Sequence, residues 1–238
     1  MMGFLQHLEE LRRRLIRVLI ILSAGTIACL IFADRLVEFL TSSFPSGANA
    51  HLALLQPTEG FMVYLKVSLI GGMFLTTPFW LWQFWGFISP GLYTREKRVI
   101  VPVVAASSLA FLVGAGFGYF ILPYGVRYFL SFTTEGMVVT WSLAKYISFE
   151  LQILLAFGLT FELPLVIYAA AMLGLVTPAQ LRHYRRHAII TILIVAGIIT
   201  PPDVLSQVAV SVPLILLYEV GIILAAAALR RRAAAERR

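Results

Sequence analysis

The sequence predicts an all-α, polytopic membrane protein with six transmembrane helices and both termini in the cytoplasm. Three observations carry that fold class. Only 13% of the 238 residues are charged, 60% are hydrophobic, and mean hydropathy is +0.88. A soluble domain averages about 25% charged residues, so this chain has too little charge to cover a water-facing surface. That excludes a soluble enzyme and a soluble nucleic-acid-binding domain. The apolar residues also gather into runs near the length of about 20 residues that crosses about 30 Å of hydrocarbon. Finally, Lys and Arg are divided very unevenly between the connections.

The chain reads as one integral membrane domain over residues 1–238, with spans near 15–33, 67–88, 99–122, 151–175, 188–200 and 204–229. It opens with an arm in which Phe4, Leu5, Leu8, Leu11 and Leu15 fall on one helical stripe, with Glu10 and Arg14 opposite. Arg12, Arg13 and Arg14 before an apolar run imitate a secretory signal, and Thr26-Ile27-Ala28-Cys29 faintly resembles a lipoprotein cleavage box. Five further spans follow and no good cleavage site ends the run, so it is read as an uncleaved first span. The connections from Asp34 to Lys66 and from Pro123 to Glu150, about 33 and about 28 residues, are rich in aromatic and apolar residues. They are expected to pack as short helices over the outer face.

In the third span, Gly114-x-x-x-Gly118 fits close helix packing. A phosphate loop is disfavoured because neither a strand nor Lys-Ser/Thr accompanies the glycines. The fourth span holds Glu162 near mid-bilayer, followed by Pro164, which predicts a kink beside a polar cavity. The fifth has about 20 Å of helix before Thr200-Pro201-Pro202 ends it. Spans five and six are therefore expected to be shorter than the others, with thinned lipid beside them. Asp203 is a natural N-cap for the sixth, and Glu219 falls close to its cytoplasmic end.

Of the 19 Lys and Arg residues, only Arg35, Lys66, Arg127 and Lys145 lie on one side; the other fifteen share the opposite side with both termini. The positive-inside rule makes that side cytoplasmic. The net charge of +7 and the pI near 9.9 then follow from topology and contact with membrane lipid, so no nucleic-acid partner is expected.

Little in the chain offers chemistry. Cys29 stands alone, so neither a disulfide nor a cysteine-held metal forms within one chain. His183 and His187 have i, i+4 spacing, but Arg185 and Arg186 lie between them and no carboxylate ligand is near. No metal, cofactor or catalytic constellation is expected. The informative residues are carboxylates. Glu162 is expensive at mid-bilayer unless it meets a cavity, a partner or a proton. Glu10 either pairs with Arg14 on a solvated helix or is presented to the cytoplasm, and Glu96, within Arg95-Glu96-Lys97-Arg98, is a second cytoplasmic carboxylate.

Four segments together resemble one family, the C subunit of the twin-arginine protein translocase (TatC). They are HLEELRRRL near the N-terminus, QFWGFISPGLYTREKR over Gln83–Arg98, FGLTFELP over Phe157–Pro164, and ITPPDVLSQ over Ile199–Gln207. Each is modest alone, but all four stand in register. The proline that many relatives carry soon after the first span comes later here, at Pro45. The resemblance implies a concave, glove-like bundle in a bacterial-type cytoplasmic (inner) membrane, without enzyme activity. That bundle would be the receptor core binding twin-arginine signal peptides of folded cargo. Implied partners are single-span TatA/TatB-type subunits and other copies of the chain. Glu10 and Glu96 match carboxylates that hold the signal's arginines, and Phe87 an aromatic of the same recognition loop. Glu162 matches the intramembrane glutamate that meets a partner subunit. Gln83, grouped with it as an intramembrane polar residue, matches a family position, as do Arg12 and Asp203. The alternative is a proton-coupled solute transporter relaying through Glu162, although no inverted repeat is visible. A passive membrane scaffold, the third reading, predicts that neither Glu10 nor Glu96 matters.

Overall fold

The computed structural model describes residues 4–45, 50–88, 100–133, 139–200 and 204–236. Its elements begin with α1 (Phe4–Ile31), α2 (Ala33–Thr41), β1 (Ala50–Ala53), α3 (Glu59–Leu75), α4 (Thr77–Ile88) and α5 (Ile100–Leu130). They continue with β2 (Val139–Ser142), α6 (Leu143–Phe161), α7 (Leu163–Met172), α8 (Pro178–His183), α9 (Arg185–Ile199) and α10 (Val204–Glu236). Among these residues, Leu8–Ile31, Val101–Leu130, Leu143–Met172 and Gln207–Arg230 are long and apolar enough to cross a membrane, and the bent pair α3–α4 makes a fifth candidate. The exterior suits hydrocarbon: Ile20, Ile27, Leu109, Phe120, Ile198 and Ile223 are 63–72% exposed. The chain forms two compact units, residues 1–87 with 115–155, and residues 88–114 with 156–238.

In the first unit, α1 is an unbroken helix of 28 residues, so the amphipathic arm runs directly into the span. It packs on α3 at two glycines. A Cβ on Gly25 would stand 2.9 Å from the Gly72 carbonyl oxygen, and one on Gly72 2.5 Å from the Thr26 nitrogen. Backbones come this close only where side chains are missing. The second span departs from its expected form, because the helix starts at Glu59 and breaks at Thr76, beyond which α4 bends away by 61°. Pro78 has no N–H for the Phe74 carbonyl, and its ring crowds that turn. Around the break, side chains donate to backbone carbonyls: the Thr76 hydroxyl to Gly72 (2.7 Å), the Thr77 hydroxyl to Phe74 (2.8 Å) and the Trp80 indole to Met73 (3.1 Å).

The outer connections also correct the expectation of short helices alone. α2 is such a helix, but β1 and β2 pair as parallel strands, with Ala50 opposite Val139 and Ala53 opposite Ser142. Val139, Thr140 and Trp141 are residue types that favour a pleated surface. Phe44 meets Trp141 and Tyr146 edge-on, at 6.0 and 5.2 Å between ring centroids. The Ser142 hydroxyl donates to Glu59 (3.0 Å), and the Lys66 ammonium donates to the Ser148 hydroxyl (2.8 Å). Glu150, fully buried, accepts from the Ser43 hydroxyl at 3.0 Å, and Ser43 lies 2.6 Å from the Tyr146 hydroxyl. Helix α6 thus begins at Leu143, eight residues before the apolar run does. Hydropathy marks where hydrocarbon lies, whereas backbone hydrogen bonds set where a helix ends.

In the second unit, Gly114 lets α5 lie against α6: a Cβ there would stand 2.6 Å from the Phe157 carbonyl oxygen. α7 packs on α10 through Gly221, where a Cβ would meet Ile167 at 2.7 Å and the Pro164 Cα at 3.2 Å. α7 ends at Gly174, whose φ of +73° is adopted without strain by glycine alone. The amides of Gly174 and Leu175 then satisfy the Ala171 and Ala170 carbonyls. Thr177 and Gln180 form a capping box for α8. α9 has 15 residues, about 22 Å at 1.5 Å each, and is short as expected. α10 is not short: it continues for 33 residues. The Ala/Arg-rich tail extends it because both residue types are strong helix formers.

Candidate functional site

The apolar stripe of α1 does not turn inward as it does on a soluble amphipathic helix. Leu8, Leu11 and Leu15 are exposed, which suits a lipid interface, while the opposite polar side faces protein. The side chains of Phe4 and Leu5 lie outside the described residues. Glu10 and Arg14 are both mostly buried, at 23% and 21% exposure. Glu10 Oε1 accepts from Arg14 Nε at 2.9 Å and from Nη2 at 2.6 Å. The third guanidinium nitrogen, Nη1, donates to the Gln83 carbonyl of α4 at 3.4 Å. Below it lies Gly86, where a Cβ would stand 2.4 Å from Nη1. Glu10 Oε2 and the Gln83 side-chain oxygen are buried and have no hydrogen-bond partner among the described residues. One residue earlier, Glu9 and Arg13 form an ordinary surface pair at 2.6 Å, both more than half exposed.

Thus the bland pairing of Glu10 with Arg14 exists, but it is docked onto α4. The structure brings Glu10 together with Gln83 and places half-buried Phe87 one residue beyond Gly86. Gln83, grouped with Glu162 from the sequence, therefore sits instead with Glu10 and Phe87 in the first unit. Glu162 belongs to the second unit. Glu96, with Arg95, Lys97, Arg98 and Asp203, lies outside the described residues. Sequence reasoning missed Arg14 and Gly86 as parts of this seat. The available signal was a glycine inside the aromatic run Trp82–Phe87, where nothing local asks for one.

Glu162 stands at the junction of α6 and α7, with helical angles of φ −73° and ψ −19° and Pro164 two residues beyond. Its carbonyl accepts from the amides of Leu165 and Val166. Ser107 hydrogen-bonds the carboxyl, while Oε1 is buried without a partner among the described residues. The residue is 7% exposed, so it is buried and not open to solvent. It is not fully satisfied either. Glu219 forms an ion pair with Arg185 at 2.5 Å, and the rings of His183 and His187 flank Tyr184 at 5.1 and 5.6 Å.

Similarity to known proteins runs along nearly the whole chain. The family model described as Sec-independent protein translocase protein (TatC) matches residues 6–213. A Sec-independent protein translocase protein TatC from Desulforapulum autotrophicum is 43% identical over 223 residues, covering 92% of this chain and 83% of that one. The crystal structure of a twin arginine translocase receptor, TatC, aligns with a TM-score of 0.83 at 39% identity, over 94% of this chain and 99% of that one. A second crystal structure of such a receptor, in DDM, gives 0.85 at 38% identity, over 92% and 99%.

Proposed function

The chain belongs to the TatC family of Sec-independent protein translocases, as a receptor subunit and not an enzyme, and on that premise we propose that it reads twin-arginine signal peptides of folded cargo at the cytoplasmic face of a bacterial-type inner membrane. Six crossings with both termini inside fit this role, with α9 as a fifth, short crossing beside thinned lipid. The uneven division of Lys and Arg supports the orientation. Two contacts agree with it. β1 and β2 join the two outer connections, and Arg185 with Glu219 joins two segments assigned to the cytoplasmic end.

The observation that carries the recognition reading is that Glu10 already seats a guanidinium, with two N–H groups on its carboxylate. A guanidinium presents such paired donors in a fixed plane, which an ammonium does not reproduce. Glu96 is the second carboxylate and Phe87 an aromatic of the same recognition loop, so two carboxylates test for two arginines. Gln83 joins this group through its contact with Arg14.

Glu162 is the contact for single-span TatA/TatB-type subunits, and its buried oxygen without a partner supports this, because an unsatisfied acceptor at membrane depth calls for a ligand or a proton. Further copies of the chain complete the assembly. The test is binding of a twin-arginine peptide, with a lysine-lysine control, to the chain in detergent. Glu10→Gln and Glu96→Gln are each expected to weaken the arginine peptide about tenfold to a hundredfold, the weight of one charge-assisted bond. The lysine control should change far less. Unchanged affinity in the double variant removes both residues from the site.

A further inference from the structure

We propose that Arg14 is a built-in competitor for the arginine-reading carboxylate, a side chain that an incoming signal arginine has to displace from Glu10; this rests on the assignment of Glu10 to signal recognition. Arg14 approaches Glu10 with two nitrogens, at 2.9 and 2.6 Å, as a foreign guanidinium would. It is also seated, rather than merely paired. Nη1 reaches the Gln83 carbonyl, and the space that a Cβ at Gly86 would fill, 2.4 Å from Nη1 and 3.2 Å from Cζ, is taken by the guanidinium. The Glu9–Arg13 pair one residue earlier shows what the same spacing gives without a seat, since its side chains are 60% and 69% exposed. Acceptor capacity at the seat exceeds what one guanidinium uses. Glu10 Oε2 and Gln83 Oε1 are buried without partners among the described residues.

Displacement is an exchange in which one guanidinium leaves for water and another takes its contacts. The competitor lowers the apparent affinity of every ligand that needs Glu10 by one common factor, the inverse of the fraction of molecules in which Glu10 is open. It therefore raises the threshold for binding through Glu10, and weighs more on the arginine peptide than on the lysine control, which draws little on that carboxylate. An arginine regains the two-donor contact that it breaks. A lysine, with a compact point charge, regains less and falls below the threshold sooner.

The test uses the full chain in detergent micelles, a dye-labelled twin-arginine peptide, its lysine-lysine control and fluorescence anisotropy, with thermal unfolding of every variant alongside. Arg14→Gln is expected to tighten the arginine peptide by about two- to fivefold, the range an ion pair of this kind contributes, and the lysine control by less. Arg14→Lys keeps the charge but loses the paired donors, and should tighten the arginine peptide by a smaller factor. Gly86→Ala alters no charge, crowds Nη1, and should act in the same direction even if Arg14→Gln fails to fold. Weaker or unchanged binding in the Arg14 variants overturns the proposal, because Arg14 would then be a clamp that positions Glu10, or a bystander. Wild-type affinity in Arg14→Lys beside tighter binding in Arg14→Gln also overturns it, leaving charge repulsion as the cause. Glu10→Gln in the same series separates the two ideas. Weakened arginine binding there, with no gain in the Arg14 variants, sinks the competitor alone, whereas no effect of Glu10→Gln removes the reading beneath it.

Discussion

Glu150 and Glu162 lie twelve residues apart on the α6–α7 run, and both are buried carboxyls with one bonded oxygen and one oxygen lacking a partner among the described residues. Their surroundings differ. Glu150 sits inside a regular helix at 0% exposure, tied to Ser43 beside the Tyr146 hydroxyl beneath the paired outer strands. Glu162 sits at a helix junction at 7% exposure, tied to Ser107 beside the Pro164 break. The first fastens an outer connection to a span of its own unit. The second is tied to Ser107 of α5 at a break between two helices. Burial alone therefore does not separate the two; what differs is where the partner comes from, an outer connection for Glu150 and the neighbouring helix α5 for Glu162.

The comparison breaks most readily at Glu150. Glu150→Ala removes an acceptor shared by buried hydroxyls and leaves a small cavity, so a loss of about 2–3 kcal/mol is expected. A lowered Tm in detergent and faster amide exchange in β1 and β2 would register it. Glu162→Ala should destabilise by about 1 kcal/mol, since the Ser107 hydroxyl can turn to a backbone carbonyl one turn back. That variant should stay folded and bind the arginine peptide, yet co-purify less of the single-span subunits. Equal losses of Tm in the two alanine variants would erase the distinction. Tyr146→Phe removes one hydroxyl and keeps the ring against Phe44, so about 1 kcal/mol is expected from thermal unfolding. Glutamine at either position preserves shape and hydrogen bonding, and both variants should unfold within about 0.5 kcal/mol of wild type.

Much of the architecture was legible because insertion into hydrocarbon is a sum over nearby residues. Runs of apolar side chains located most of the helices long enough to cross, and Pro201-Pro202 in the sequence predicted a short α9. The i, i+4 pairing of Glu10 with Arg14 was legible for the same reason, as a contact within one helix. Glu162 was legible because a charge inside an apolar run is conspicuous. Glu150 was not, since it stands where the apolar run begins and reads as the end of a connection. The 61° break at Thr76 was missed although Pro78 was visible, because many membrane helices carry proline without bending so far; neighbouring hydroxyls and the Trp80 indole stabilise the bent form here.

By itself, then, the sequence determined the membrane class, most of the apolar helices long enough to cross, and a family resemblance resting on short motifs in fixed order. All of these depend on composition or on neighbours in the chain. Only the tertiary structure decided that residues 50–53 and 139–142 pair as strands, that Gln83 and Gly86 build a seat for Arg14, and that Glu150 is buried beside Ser43. Each of these joins residues far apart in sequence. Whether such groups meet depends on how helices pack and bend, and the strand pairing carries no signature in either segment read alone.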